Sequence, residues 1–438
     1  MPQTPQSDSL ARSGARPQSE FPAVLAELRR MQEQRDSGAK LRVYVAGSSG
    51  EPTQMLETLK EHPSAAERLH FLQFPLPGIN QFDFTELSQT TEQTVFFMSA
   101  AIKEAPRDRL HYVPIHMRRV YDYLLENPVD VALLQLARDR DGVLRVAANA
   151  DFASAAVAHS DTIVIASLNE GFVAPVGAPL APRIDYLFTG ASTVPVFPGA
   201  ATGLDASGVE RAIGDYVASI VRDGDCLQTG IGAIPAAVLA ALGDKVDLGF
   251  HGGLIDDGVF ALIEQGVITG ARKSIDRGLH ITGIVLGSES LFQRLAQRDD
   301  VLLVGANRTH ESSVIANIDN FVSINSAVQV DLLGQVNGEF AGGRQLSGTG
   351  GSVDFMRSAR GSKGGRSIVA LPATARGGSV SRIVQRVDMV TALRTDVDIV
   401  VTEYGIAQLR DQPLAARVTR LAAIAAPDYR PELLSVIE

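Results

Sequence analysis

The chain has 438 residues, of which 45% are hydrophobic and 21% are charged, and its formal net charge is −10 at pH 7. This length exceeds one ordinary hydrophobic core and predicts a globular protein of two or three domains, while the acidic balance argues against nucleic acid or an anionic membrane as partner. A single cysteine, Cys226, excludes an internal disulfide and a thiolate metal cluster, and no run reaches the ~20 apolar residues of a membrane span.

The first elements follow a polar tail. Residues 1–20 are rich in Pro, Gln and Ser, so they predict a disordered segment, and they lack the apolar core of a signal sequence, which favours a cytoplasmic location. Apolar residues then recur at helical spacing from Phe21. The apolar run LRVYVAG, which begins at Leu41, predicts a buried strand followed by a glycine turn and a helix.

Two further buried strands complete the first half of the chain. They are DVALLQLA and DTIVIASLN, both of the apolar type found in parallel sheets, and Asn169 and Glu170 close the second. A Pro- and Gly-rich stretch over 174–206 predicts a crossover between domains. We therefore expect an N-terminal α/β domain over 21–195 and a C-terminal domain over 196–438.

The second half is organised around residues 223–278. An apolar strand leads to a glycine turn, Gly230 to Gly232, and a helix that opens near Pro235. This order directs free backbone N–H groups toward an anion or a developing oxyanion. A second strand, VDLGFHGGL, follows at once, and Asp256 is placed to cap the next helix. Two strand ends are therefore expected to meet.

Strands and helices also alternate through the rest of the chain. The segments HITGIVLG, DVLLVGA, SIVALPA and DIVVTEYG predict strands, and Gly348, Gly350 and Gly351 form a dense glycine motif that permits close backbone approach to a ligand or a structural hairpin. The fold class is α/β, with two open α/β domains whose sheets are mostly parallel.

Five segments carry a resemblance to a known family. They are LQTGIGAIPAAVL, HGGLIDDG, INSAVQVDLLGQVN, GTGGSVDF and TEYGIAQLRDQPLAARV, in this order. Together they resemble the class I coenzyme A transferases, in the acetyl-CoA hydrolase/transferase branch that includes the 4-hydroxybutyrate and acetate CoA-transferases. The resemblance implies an acyl-CoA substrate, a CoA-transferase-like fold with its active site at the domain interface, and a homodimer or higher homo-oligomer.

One departure from the family pattern concerns its nucleophile. In the family the strand of the HGGLIDDG segment ends in a His-Ser-Glu type of motif, whose glutamate attacks the acyl-CoA and forms covalent acyl and CoA intermediates. The matching residues here are His251, Gly252 and Gly253, so glycine stands at the position of the nucleophile. Gln329 is a second departure, because several members of the family have glutamate there.

The main candidates for the chemistry are His251, Asp256 and Glu403. His251 is a candidate general base for water, with Asp256 or Asp257 as the group that orients it. The alternative interpretation is that His251 is a hydrogen-bonded strand histidine and the aspartate a helix cap. Glu403, within the matching TEYG segment, is a candidate pocket carboxylate, and Glu339 is a weaker one.

Residues that would contact CoA lie mostly in the matching segments. Basic residues are candidate partners of the CoA phosphates, among them Lys363, Lys273, Arg344 and Arg366. The predicted CoA-binding residues are Gln228, Gly230, Gly232, Gly253, Asn325, Gly348, Gly350, Gly351 and Lys363. No HExxH, Walker or paired CxxC motif occurs, so we predict no metal.

The missing glutamate directs the functional hypothesis. Glycine offers no nucleophile, whereas a CoA pocket, an oxyanion environment and room for water remain. We expect an acyl-CoA-acting enzyme that hydrolyses a thioester or cleaves a carbon–carbon bond of an acyl-CoA. The alternatives are CoA transfer through another carboxylate, Glu403 or Glu339, and a non-catalytic acyl-CoA-binding protein.

Overall fold

The computed structural model describes residues 15–36, 38–190 and 207–435. These residues form two compact units. Unit 1 takes the described residues of Met1–Pro114, Arg119–Phe197 and Ile284–Gly305, and unit 2 takes those of Ile115–Arg118, Pro198–Gly283 and Ala306–Glu438. The predicted boundary near residue 195 lies outside the described residues. The division differs from the two predicted ranges at 115–118 and at 284–305, which exchange units.

The elements of the first half alternate strands with short helices. In chain order they are β1 (Arg16–Pro17), α1 (Phe21–Arg35), β2 (Leu41–Val45), α2 (Thr53–Glu61), β3 (Leu69–Gln73), β4 (Glu92–Val95), β5 (Leu110–Tyr112), α3 (Met117–Glu126), β6 (Val131–Arg138), β7 (Leu144–Val146), α4 (Ala153–Ala156), β8 (Ile163–Val173) and β9 (Tyr186–Gly190).

Unit 1 is built on a nine-stranded sheet. Its order is β1-β9-β8-β6-β2-β3-β4-β5, with every neighbour in this series parallel, and β7 pairs antiparallel with β6. The apolar face of α1 packs on this sheet, and Phe21 meets Phe188 edge-to-face at 5.8 Å between ring centroids. The predicted parallel α/β class is confirmed.

Three local predictions in unit 1 need correction. Arg16 and Pro17, expected in the disordered tail, pair with Phe188 and Thr189, whereas residues 1–14 lie outside the described residues. Strand β8 continues through Asn169 and Glu170 to Val173, since its apolar pattern resumes at buried Phe172, so these two residues do not close the strand. The predicted crossover contains β9, and its last part, 191–206, lies outside the described residues.

The second half contains more and shorter elements. They are α5 (Gly208–Ile220), β10 (Cys226–Thr229), α6 (Ala233–Ala240), β11 (Gly249–Phe250), β12 (Leu254–Ile255), α7 (Asp257–Glu264), β13 (His280–Thr282), β14 (Ile284–Val285), α8 (Glu289–Leu295), β15 (Val301–Leu303), α9 (Ala306–Thr309), α10 (Ser312–Ile315), β16 (Phe321–Ser326), β17 (Gln329–Asp331), β18 (Val336–Asn337), β19 (Phe340–Ala341), β20 (Arg344–Gln345), α11 (Ser352–Gly361), β21 (Arg366–Ala370), β22 (Thr374–Ala375), β23 (Val380–Ser381), β24 (Ile383–Val384), β25 (Ile399–Thr402), β26 (Gly405–Gln408), α12 (Leu414–Ala423) and α13 (Arg430–Leu434). Of these, β14, α8 and β15 belong to unit 1.

Unit 2 is built on a six-stranded sheet in the order β11-β10-β16-β21-β25-β26. All neighbours are parallel except β26, which returns antiparallel on β25. The predicted VDLGFHGGL strand is broken into β11 and β12. Because parallel strands end at the same edge, the residues that follow β10, β16, β21 and β25 line one edge of the sheet. We call this the carboxyl edge.

No helix among residues 15–36, 38–190 and 207–435 has both the length and the apolar character that a membrane span requires.

Candidate functional site

The carboxyl edge of unit 2 begins with a side-chain network on two neighbouring strands. Gln228 on β10 and Asn325 on β16 join through Asn325 Nδ2, which donates to Gln228 Oε1 at 3.0 Å, and Ser323 Oγ donates to the same oxygen at 3.0 Å. Gly230 follows at once, and its N–H donates to the Ile324 carbonyl at 3.2 Å. The structure thus brings together three predicted CoA-binding residues, Gln228, Gly230 and Asn325.

The turn after β10 exposes backbone donors. Gly232 has φ of 116°, a conformation that disfavours any side chain, and it stands at the N-terminal end of α6. No side chain caps this helix, so its first amide N–H groups are available to solvent or to a ligand. The predicted glycine turn therefore has the form that the sequence indicates, on the carboxyl edge.

His251 is fully buried at the end of β11. Its Nε2–H donates to the carbonyl of Thr309 at 3.2 Å, and its Nδ1 has no partner among the described residues. Burial lowers the pKa of His251 to about 4, with nearby Lys273 adding to the effect. The imidazole is therefore neutral at pH 7. Its hydrogen bond holds the last residue of α9, Thr309.

Asp256 caps α7. Its Oδ1 accepts from the N–H of Val259 at 2.9 Å, and burial raises the pKa of Asp256 to about 6. Within the described part of the chain, no hydrogen bond joins Asp256 to His251, so the predicted base and its orienting aspartate are not connected. These contacts match the alternative interpretation, a strand histidine and a helix cap, and the catalytic roles of both residues stay predictions.

Gly253 faces a second histidine, His310. A β-carbon built on Gly253 would lie 3.1 Å from Cε1 and 3.2 Å from Nε2 of His310, and the next nearest atom belongs to Phe355. The backbone there is fixed, because the Gly253 carbonyl accepts from Gly283 N–H at 3.2 Å. An imidazole ring therefore borders the space that a side chain at position 253 would enter.

The second glycine motif approaches the same ring. A β-carbon on Gly351 would lie 2.5 Å from Cδ2 of His310 and closer still to Nε2. Gly351 is also the N-cap of α11, and Gly350 has φ of 56°. The HGG segment at Gly253 and the predicted GTGG motif thus meet on His310, which places Gly350 and Gly351 beside Gly253.

His310 is held on its remaining sides. The Phe355 ring packs against the imidazole at a tilt of 42°, with centroids 4.3 Å apart, and Thr309 Oγ1 lies 2.7 Å from Nδ1. Burial, with smaller contributions from His251 and Arg118, lowers the pKa of His310 to about 3. The ring is therefore neutral at physiological pH.

A short segment of unit 2, 115–118, closes over the glycine motif. Met117 N–H donates to the Gly350 carbonyl at 3.0 Å, and Arg118 N–H donates to Asp354 Oδ2 at 3.0 Å. The Arg118 side chain also pairs with Glu311, the residue after His310, at 2.7 Å. Burial raises the pKa of Asp354 to about 7. This segment fixes both the glycine motif and the His310 loop.

The carboxylates proposed as replacements for the family glutamate each have hydrogen-bond partners, and their catalytic roles stay predictions. Glu403 follows β25 on the carboxyl edge, where its Oε2 accepts from Ala373 N–H at 2.8 Å. Glu339 is buried, and it accepts from Gln345 Nε2 at 2.6 Å and Thr391 Oγ1 at 2.9 Å. Gln329, on β17, accepts from Asn337 and lines a cavity of about 510 Å³ to which none of the predicted site residues contributes.

The predicted cations do not gather at this site. Lys363 precedes β21, so it lies at the amino end of a five-residue strand whose carboxyl end carries the site, about 16 Å away. Lys273 is buried and donates to the carbonyls of Phe250 and Leu279, and Arg366 is buried against Asp225. The CoA-binding role of Lys363 stays a prediction that this geometry does not support.

His310 is the residue that the sequence analysis missed. It lies in the segment between β15 and β16, in no predicted motif, and far along the chain from both glycine motifs. The excess of glycine at positions 253 and 350–351 was the only available sign that something bulky approaches the backbone there.

Comparison with known proteins defines the class. The fold agrees with RipA from Yersinia pestis, with a TM-score of 0.82 and 28% identity over 94% of this chain and 98% of that one. It also agrees with a 4-hydroxybutyrate CoA-transferase from Porphyromonas gingivalis, with a TM-score of 0.76 and 28% identity over 99% of each chain. The molecule is an α/β protein of CoA-transferase type.

Sequence comparison gives the family. Residues 287–437 match the acetyl-CoA hydrolase/transferase C-terminal domain. The chain is 35% identical over 403 residues to the 4-hydroxybutyrate coenzyme A transferase of Clostridium kluyveri, which covers 90% of this chain and 93% of that protein. It is 32% identical to the butyryl-CoA:acetate CoA-transferase of Anaerostipes caccae over 75% and 76% of the two chains. The protein belongs to the acetyl-CoA hydrolase/transferase family, whose enzymes act on acyl-CoA.

Proposed function

We propose that this protein hydrolyses an acyl-CoA thioester rather than transferring CoA between acids. The observation that carries the proposal is the contact between Gly253 and His310. The resemblance aligns Gly253 with the family nucleophile, and a neutral imidazole lies against this glycine. Transfer by the family route needs a carboxylate that attacks the thioester. Water beside an imidazole supplies a different nucleophile.

The surrounding groups fit a thioester substrate. The uncapped N-terminal end of α6 supplies backbone donors at the carboxyl edge, where they would stabilise the oxyanion of a tetrahedral intermediate. The amides of Gln228 and Asn325 hydrogen-bond each other and hold the two strand ends together. Gly230 leaves the backbone open, since the atom nearest to its absent β-carbon is 3.6 Å away. CoA contacts through the predicted glycines are part of this proposal.

Hydrolysis has two products that are measured separately. Water forms a carbon–oxygen bond with the acyl carbon, the carbon–sulfur bond breaks, and a carboxylic acid and free CoA thiol result. The purified protein is mixed with acetyl-, butyryl- and succinyl-CoA, and thiol release is followed with a disulfide reagent. In ¹⁸O-labelled water, hydrolysis places one label in the acid.

Intact-protein mass spectrometry after borohydride treatment distinguishes the alternatives. We expect thiol release with no covalent adduct. A CoA-derived adduct on Glu403 or Glu339 would instead establish transfer and overturn the proposal. Formation of a shorter acyl-CoA without free thiol would indicate carbon–carbon cleavage, and CoA binding without turnover of any thioester would indicate a binding protein.

A homodimer and a cytoplasmic location are further parts of the proposal. The resemblance to the family supports the homodimer. Light scattering of the purified protein tests the assembly, and fractionation of cells that express the chain tests the location.

A further inference from the structure

Resting on the proposed hydrolysis, we infer that His310 is the general base that replaces the family glutamate. No motif and no comparison with known proteins points to this residue. The inference depends on how the chain seats one imidazole between two glycines, and on which of its ring nitrogens is left available.

Both glycines are required by the ring. At Gly351 a β-carbon would overlap His310, and at Gly253 it would force the ring to move by a few tenths of an ångström. Gly351 has φ of −100°, which any residue adopts, so the close approach of the imidazole explains glycine there and backbone conformation does not. The backbone of Gly253 is likewise not in the left-handed region, so the nearby ring is the reason for glycine there too.

The ring has one nitrogen in use and one available. Nδ1 lies 2.7 Å from Thr309 Oγ1, whereas Nε2 has no hydrogen-bond partner among residues 15–36, 38–190 and 207–435. Nε2 is the atom that lies between the two glycines, and Gly253 and Gly351 are both partly exposed. When Nδ1–H donates to Thr309, Nε2 carries the lone pair, and it lies against Gly253 and Gly351.

One hydrogen bond and one ion pair hold the segment that carries the His310 ring. His251 Nε2–H fixes the carbonyl of Thr309, and Arg118 holds Glu311. In this inference His251 is a positioning residue for His310, a role that differs from the general base predicted for it. These contacts hold the His310 ring in position, as catalysis by a positioned base requires.

The step balances without any further reactant. Nε2 takes one proton from water as the water oxygen bonds to the acyl carbon, and the thioester oxygen becomes an oxyanion. Collapse of this intermediate breaks the carbon–sulfur bond, and the imidazolium returns the proton to the leaving CoA sulfur. The ring ends neutral, which is the form that its burial favours.

The test replaces the ring and keeps the fold. His310→Gln preserves a polar side chain of similar length, and His310→Ala removes it. General-base catalysis contributes about 10²- to 10⁴-fold, so we expect kcat for thiol release to fall within that range while KM changes by less than about threefold. His159→Gln, which alters an exposed histidine of unit 1, is the matched control and keeps the wild-type rate.

Further readouts separate a catalytic role from a structural one. Circular dichroism and CoA affinity of both variants should match the wild type, and added imidazole should restore part of the lost rate to His310→Ala but not to His310→Gln. Wild-type protein that releases no thiol overturns the proposed function. Wild-type hydrolysis that His310→Gln and His310→Ala both retain overturns the inference alone.

Discussion

Gly351→Ala tests whether an imidazole occupies the space between the two glycine motifs. The backbone at Gly351 has φ of −100° and ψ of −3°, so alanine meets no conformational strain. The new β-carbon would lie 2.5 Å from Cδ2 of His310, where about 3.5 Å is an ordinary separation. The whole effect of the substitution therefore comes from an overlap of about 1 Å with one ring.

Neighbouring residues restrict how far the His310 ring can move away from a new β-carbon at position 351. Phe355 covers one face, and Gly253 lies at the edge that contains Cε1 and Nε2. Overpacking of this kind costs about 1–3 kcal/mol, and a ring that turns away also loses the hydrogen bond to Thr309, about 1 kcal/mol. We therefore expect Gly351→Ala to lower the free energy of unfolding by about 3 kcal/mol and to reduce thiol release by at least tenfold.

A double-mutant cycle isolates this overlap. Unfolding in urea is followed by far-UV circular dichroism for Gly351→Ala, His310→Ala and the double variant. Removal of the ring should relieve the clash, so the two substitutions should couple by about 2 kcal/mol. Gly361→Ala is the control at the other end of α11, because its β-carbon would meet Ala316 at an ordinary 3.5 Å, and its effect should stay within about 0.5 kcal/mol.

A Gly351→Ala variant that is as stable and as active as the wild type would refute the reasoning. So would an additive cycle, since the cost would then have a source other than His310.

Three further substitutions test other parts of the structure. Gly230→Ala should leave the melting temperature unchanged, because the nearest atom to its β-carbon is 3.6 Å away. It should raise KM for acyl-CoA, because the proposed substrate contacts this backbone. Unchanged kinetics would show that Gly230 is not part of the site. Burial raises the pKa of Glu51 to about 7 from an unfolded value near 4.5, so the folded state holds the extra proton and loses stability as pH rises through this window. Glu51→Gln should therefore be more stable than the wild type at pH 8 by up to about 3 kcal/mol, and the difference should vanish below about pH 5. If the melting temperatures of the two proteins differ by the same amount at every pH in this range, the raised pKa of Glu51 is contradicted. Asp225→Ala should cost about 3–5 kcal/mol in urea unfolding because it leaves the Arg366 guanidinium buried without its carboxylate, and a loss below about 1 kcal/mol would show that this ion pair is not formed.

Local sequence pattern was sufficient for the elements of the site. The strand CLQT, the glycine turn after it and the helix beyond are each specified by neighbouring residues, and they form as predicted. Asp256 caps α7 because an aspartate before an apolar helix satisfies free N–H groups wherever the helix lies. The prediction that Gly253 stands at the position of the family nucleophile likewise came from the residues alone.

Tertiary structure decided which side chain borders that gap. Sheet order places β10 between β11 and β16, so Gln228 meets Asn325 although nearly a hundred residues separate them. Lys363 looked suitable by residue type, but strand direction puts it at the opposite end of the sheet. His310 belongs to no motif, and its approach to Gly253 and Gly351 depends on loop packing between distant segments. Sequence periodicity records how a residue relates to its near neighbours, whereas contact between distant segments is set by strand order, direction and close packing.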